Sequence, residues 1–163
     1  MILPDDPRPL LERCIAGLRA AGADPVLAVL RAPYAARCVA AGGLPVVPDP
    51  PPAQMIDSVL AALALLEDGS ADGLLLCPVD GPRAAEAAPA WLREAIEAAG
   101  DQAIVPTWAG RDGHPVWIPR DRWSDLRSEA CRRDGTRAAL VKALRWPVDD
   151  EAVLHNANRP ESL

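Results

Sequence analysis

The stretch Gly73-Leu74-Leu75-Leu76-Cys77-Pro78-Val79-Asp80-Gly81-Pro82 decides the fold. It runs from glycine to valine with no charge and no alternation of polar with apolar positions, and then an acid appears between two prolines. A strand apolar on both sides is covered on both faces, as the inner strands of helix-wrapped sheets are. Val26-Leu27-Ala28-Val29-Leu30 has the same character, and 44–47, 103–106 and 113–118 read as further extended segments. Between them lie one-sided helices. Leu10, Leu11, Cys14, Ile15 and Leu18 mark one over 9–21, and Met55, Val59, Leu60, Leu63 and Leu66 mark a stronger one. A short helix is expected over 32–41, others over 89–99, 120–132 and 137–145, short strands at 146–148 and 153–154, and the first turn of a helix at 160–162. Strand and helix alternate throughout. That order predicts an α/β domain, three-layered, with a mostly parallel sheet flanked by helices, and one domain over 1–163.

Composition agrees with a folded core of unusual make-up. Of 163 residues, 31 are alanine and none is phenylalanine, so Leu, Val and Ile with five Trp must supply the apolar area. Charged residues are 25% and the mean hydropathy is +0.01, values of an ordinary globular chain. The net charge of −6 argues against a nucleic-acid partner, because phosphate-backbone affinity comes from clustered Lys and Arg, and Lys142 is the single lysine. No apolar run reaches the roughly 18 residues of a membrane span, and the first residues show no secretion signal. Cys14, Cys38, Cys77 and Cys131 are widely spaced. Reduced thiols and a cytoplasmic location are therefore expected.

Ligands of open parallel sheets bind beyond the carboxyl ends of the strands, which directs attention to the residues just past each strand. Asp80, stiffened by Pro78 and Pro82, is placed to hold Mg²⁺, a cation that takes one or two carboxylates and completes its shell with substrate phosphate oxygens. On position alone a cap on the next helix is an equal reading. Gly110-Arg111-Asp112-Gly113-His114-Pro115-Val116 places a histidine in extended geometry between a glycine and a proline, and a lone turn histidine is more often structural. In the tail, Leu154-His155-Asn156-Ala157-Asn158-Arg159-Pro160 gathers imidazole and amide groups ahead of a helix start, a place suited either to an anion or to an ordinary Asn cap.

Taken in order, these segments resemble the small nucleotidyltransferases of molybdenum-cofactor biosynthesis, the molybdopterin cytidylyl- and guanylyltransferase group, over nearly the whole chain. Pro9-Leu10-Leu11-Glu12-Arg13 and Ala20-Ala21-Gly22-Ala23-Asp24-Pro25-Val26 resemble that family's first helix and second strand. Gln54-Met55-Ile56-Asp57-Ser58-Val59 is similar to its Gly-Met-x-x-Ser-Leu segment, with Gln54 at the glycine. Val79-Asp80-Gly81-Pro82 is similar to the metal-binding strand end, Val105-Pro106-Thr107 with Gly113-His114-Pro115-Val116 to the substrate-side strand pair, and Arg133-Asp134-Gly135-Thr136-Arg137 to a Gly-Asp-x-Gly-Ala-Arg turn. The resemblance implies a Rossmann-like, glycosyltransferase-A-type fold and transfer of a nucleoside monophosphate from a nucleoside triphosphate to a phosphorylated, pterin-type acceptor, with Mg²⁺. It implies Asp80 and Asn158 toward the metal, and Ser58, Gly81, Pro82, Gly113, His114, Pro115 and Asn156 toward substrate.

Two departures stand beside the matches. The family opens with a strand and a glycine-rich triphosphate loop of roughly 25 residues, one strand and one loop at usual lengths, and this sequence starts at the point corresponding to the entry into the first helix. The family's acidic tail reads Asn156-Ala157-Asn158 here. The expected protein is accordingly an impaired or inactive relative, lacking the first strand and loop; the alternatives are an active nucleotidyltransferase whose start codon is set too late or whose missing part is encoded elsewhere, a non-catalytic binding or partner protein on the same fold, or unrelated chemistry on an α/β scaffold. Without that strand, 26–30 and 74–79 must pair directly, borrow residues near Ile2-Leu3, or be covered by a homodimer or a partner protein. Direct pairing or dimerisation is expected.

Overall fold

The computed structural model describes residues 2–3, 6–66 and 69–157. The chain begins with a hairpin of β1 (Ile2–Leu3) and β2 (Asp6–Pro9), followed by α1 (Leu10–Ala20), β3 (Leu27–Val29), α2 (Ala35–Ala40) and β4 (Leu44–Val46). Helix α3 (Met55–Leu63) leads to β5 (Gly73–Leu76), α4 (Pro82–Ala87), α5 (Leu92–Ala99) and β6 (Ile104–Trp108). The remainder holds β7 (Arg111–Asp112), β8 (Val116–Pro119), α6 (Trp123–Leu126), α7 (Glu129–Asp134) and β9 (Leu144–Pro147). Single 3₁₀ turns take up 32–34, 88–90, 120–122, 136–140 and 151–154. Two expectations change in kind: 137–145 is a 3₁₀ turn leading into β9, and 153–154 closes a 3₁₀ turn, so neither is the helix or strand that apolar spacing suggested. The expected turn at 160–162 lies outside the described residues.

Local sequence explains the turns that deliver β3 and β4. Helix α1 ends with Gly22 N–H bonded to the Arg19 carbonyl at 2.9 Å and Ala23 N–H to Leu18 at 3.0 Å, with Gly22 at φ +94°. Helix α2 ends in the same way, Gly42 (φ +84°) to Val39 and Gly43 to Cys38, both at 2.9 Å. This is the paired closure that needs a residue of positive φ just past the helix, the role glycine fills without strain. At the start of α3 the Gln54 N–H donates to the Asp57 carboxylate at 3.0 Å, one half of a capping box.

The β strands are shared between separate sheets. β5, β6 and β9 run in one direction, and β8 and β7 run against them, in the order β5-β8-β6 with β7 and β9 also on β6. The α/β class and the flanking helices are as expected, but the reversed β8 lies between β5 and β6, so most adjacent pairs in this sheet are antiparallel. Along β5 the side chains alternate as a pleat requires. Leu74 and Leu76 pack with Ile56, Val59, Leu63, Ile118 and Leu126, while Leu75 packs with Leu92, Ala95 and Ile104. Helices cover both faces, which is why the run lacks alternation.

β3 and β4 form their own parallel pair, Leu27 opposite Leu44 and Val29 opposite Val46. Among the described residues no ladder joins β3 to β5, so the expected direct pairing does not occur, and Ile2–Leu3 pairs with β2. A groove lies between the two segments, lined by side chains of α1 and α3. Helices bridge it on both faces: Ile15, Leu18 and Ala85 share one cluster with Val26 and Cys77, and α3 lies against β3. Helix α1 is fixed in turn on α4. A Cβ on Gly17 would lie 2.6 Å from the Ala85 carbonyl carbon, and buried Arg13 bonds Glu86 twice, at 2.8 and 2.6 Å. At the far side of β4, Pro45 stands opposite Ala28 with its ring nitrogen turned outward, since Leu44 and Val46 bond toward β3.

Candidate active site

The register of β8 on β5 builds the site. Leu76 pairs with Val116, so His114-Pro115 sits beside the point where β5 ends and the chain turns through Pro78, Val79 and Asp80 into α4. Gly81 N–H bonds the Pro78 carbonyl at 3.0 Å, closing that turn, and buried Pro82 occupies the first helical position, where its missing N–H costs nothing. The tail then returns to the same place. The Ala157 N–H donates to the Asp80 carbonyl at 2.6 Å, and the His114 N–H to the Val153 carbonyl at 2.8 Å.

Two glycines permit this approach. A Cβ on Gly113 would lie 2.6 Å from the Val153 carbonyl oxygen, and one on Gly81 3.3 Å from that of His155. The structure thus brings together Asp80, Gly81, Pro82, Gly113, His114, Pro115 and Asn156, seven of the nine positions singled out in the sequence. Ser58 is half-buried on α3 and lines a groove between β3 and β5. Asn158 lies outside the described residues.

Electrostatics link the acid and the imidazole. Burial pushes the His114 pKa below its usual value, an effect opposed by the negative charge of Asp80 and by a hydrogen bond to the Leu76 carbonyl, and reinforced by the cationic Arg137. His114 Nδ1 is buried with no hydrogen-bond partner among the described residues. Beneath the Asp80 turn lie two thiols, Cys14 Sγ 3.4 Å from the Val79 carbonyl oxygen and Cys77 Sγ 3.6 Å from that of Gly81. The Cys77 thiol is held well above its ordinary range, first by its hydrogen bond with Cys14, then by burial, with the Cys14 and Asp80 charges adding to it. These two cysteines and Arg137 escaped the sequence reading as site residues. Only the Gly135-Thr136-Arg137 turn carried a signal for any of them.

The acid set is sparse. Among the described residues no three His, Cys, Asp or Glu side chains form a metal-binding group. One carboxylate fits a cation whose remaining ligands are water and phosphate oxygens, the manner in which Mg²⁺ is ordinarily held. It does not fit a cage made of protein alone.

The MobA-like NTP transferase domain model matches residues 1–150. The chain belongs to that family. It is therefore a nucleotidyltransferase-like domain, of a family whose substrates are nucleotides. Its fold is shared with Rv0371c of Mycobacterium tuberculosis H37Rv, 24% identical with a TM-score of 0.64 over 91% of this chain and 76% of that one. A second structure of Rv0371c, a complex with manganese, is 23% identical at a TM-score of 0.61 over 91% and 78%. A nucleotidyl transferase from Methanothermobacter thermautotroptrophicus is 19% identical at 0.68, over 94% of this chain and 76% of its own. A comparison with curated proteins finds no match. Among the described residues no helix is long and apolar enough to cross a membrane.

Proposed function

We propose that the Asp80 turn binds the phosphates of a nucleoside triphosphate through a shared divalent cation, Mg²⁺ or a like ion, and that these 163 residues alone transfer the nucleoside monophosphate poorly or not at all. The observation that carries the reading is the convergence of Asp80, His114 and the 153–157 tail on one strand end, with a single carboxylate. Such a carboxylate holds a cation weakly until phosphate oxygens complete the shell, so cation and nucleotide bind together. Bound, the cation supplies neutralisation of phosphate charge, the main electrostatic need of nucleotidyl transfer. His114, kept neutral by burial, offers an uncharged polar edge toward an acceptor, and a phosphorylated pterin-type acceptor is the class that the family resemblance supports.

Impairment is the consequence of the surroundings of Asp80. The rims of β3 and β5 carry no neighbouring strand among the described residues, so no row of backbone N–H groups from between them reaches the triphosphate. Calorimetric titration with CTP and GTP, each with Mg²⁺ or Mn²⁺, tests the reading. Binding near millimolar that disappears with EDTA and in Asp80→Ala is expected, and little pyrophosphate release. Nucleotide binding indifferent to both treatments would overturn it.

A further inference from the structure

We propose that Cys14 and Cys77 form a reversible oxidation site: hydrogen peroxide joins them as a disulfide, and the disulfide loosens the turn that carries Asp80. The chemistry of the pair is independent of the nucleotide reading, and only its bearing on phosphate binding rests on that reading.

Both sulfurs lie at one carbonyl. The Pro78 oxygen is 3.8 Å from Cys14 Sγ and 3.5 Å from Cys77 Sγ, and a hydrogen bond joins the two side chains directly. Linking them buries no charge, because one neutral, weakly polar group replaces two others. Hydrogen peroxide is close to water in size and meets half-buried Cys77 first, while buried Cys14 stands behind it as the second thiol. The Cys77 sulfur gives an electron pair to one peroxide oxygen, the O–O bond breaks, and a sulfenic acid and one water result. Cys14 then attacks that sulfur. The S–S bond forms, the S–O bond breaks, and the hydroxyl leaves with the Cys14 proton as a second water. Two thiols have lost two electrons and one peroxide has gained them. The raised pKa of Cys77 keeps the first step slow at neutral pH.

The consequence falls on the turn because its surroundings are fixed. Gly17 is seated on the Ala85 backbone, and Arg13, next to Cys14, is bonded twice to Glu86, so α1 and α4 hold together. On the other side β5 is held by β8. Drawing the sulfurs from hydrogen-bond contact to a bond of about 2 Å therefore displaces the segment 77–81 between those two supports. That segment also loses its thiol donors. The Val79 oxygen is 3.4 Å from Cys14 Sγ and the Gly81 oxygen 3.6 Å from Cys77 Sγ, and a disulfide has no proton to give. Asp80 sits in the middle of the displaced segment.

The full chain, without nucleotide, is treated with hydrogen peroxide, then with catalase, and its remaining thiols are alkylated in urea. Trypsin and Asp-N together leave the four cysteines on four separate peptides. The expected product is one link between the Cys14 and Cys77 peptides, with a mass loss of two hydrogens, reversed by dithiothreitol. Amide exchange read by NMR follows the turn. The Gly81 and Ala157 amides, bonded to the Pro78 and Asp80 carbonyls, are expected to exchange at least about tenfold faster after oxidation, the loss of roughly one hydrogen bond. The Ala21 amide at the end of α1 stays as it was, and in Cys77→Ser peroxide changes none of the three. Cys38 packs in the same apolar cluster as Cys77 and is the competing partner. A Cys38–Cys77 link, or sulfinic acid at Cys77 with no link, overturns the proposal. So does a Cys14–Cys77 link that leaves Gly81 and Ala157 exchange unchanged. None of these readouts involves a nucleotide, so the two readings fail separately.

Discussion

The main-chain amide of Ala157 donates to the main-chain carbonyl of Asp80 at 2.6 Å, joining the end of the described chain to the turn that carries the candidate metal ligand. The tail is thereby part of the site. Ala157→Pro removes the donor and leaves a carbonyl in a partly buried turn without this bond, at a cost of about 1–3 kcal/mol. The expected result is a lower denaturation midpoint together with weaker Mn²⁺-dependent nucleotide binding. A midpoint shift with unchanged binding would mean that the tail only stabilises.

Gly113→Ala tests the same junction from the other strand. With a Cβ 2.6 Å from the Val153 oxygen, neither backbone can give without moving the tail. Overpacking of this sort costs about 1–3 kcal/mol. Loss of protection at the His114 amide, read by hydrogen exchange, is the expected signature, because that amide bonds the same Val153 carbonyl.

Gly17→Ala is expected to lower the urea midpoint by a similar free energy, about 1–3 kcal/mol, by forcing α1 off the Ala85 backbone. The slope of the transition should stay constant, since the surface exposed on unfolding is unchanged. The Arg13–Glu86 pair lies close along the same helix contact, so the two effects are not additive.

His114 makes stability depend on pH. Its folded pKa lies below the usual 6.5, so the unfolded chain binds the proton more readily. This contribution is fully present above pH 6.5 and is lost as pH falls from there toward the lower folded value. Thermal midpoints recorded from pH 8 to 5 should fall in the wild type and fall less in His114→Gln.

Cys77 borders the open groove, yet its raised pKa keeps it a thiol. Iodoacetamide is expected to modify it slowly at pH 7.5 and faster as pH rises above 9, because the thiolate is the reactive form. Mass spectrometry of digested protein reads the site directly. Rapid alkylation at pH 7.5 would contradict the description of the thiol pair.

Most of the site was legible because it depends on strand ends. An uncharged run ending in Pro-Val-Asp-Gly-Pro announces both a buried strand and the acid that stands at its mouth, and glycine next to His114 announces a close approach. The approaching partner was not legible. The Val153 carbonyl and the Cys14 and Cys77 sulfurs reach the site through long-range packing, which no local spacing records. The same holds for β3 and β5. Their apolar character is local and was read correctly, but whether they meet is decided by long-range packing, and the expectation of direct pairing failed there. Residues 137–145 misled for another reason: helix-like spacing ran on into Leu144 and Arg145, which pair with β6, and left only a 3₁₀ turn ahead of them.

Pro45 has a consequence for how this chain behaves when crowded. Its outward-facing nitrogen carries no hydrogen, so the outer border of the small sheet cannot be extended by a neighbouring molecule. An incoming strand on that flank meets one donor fewer, so lateral growth into ribbons is disfavoured there.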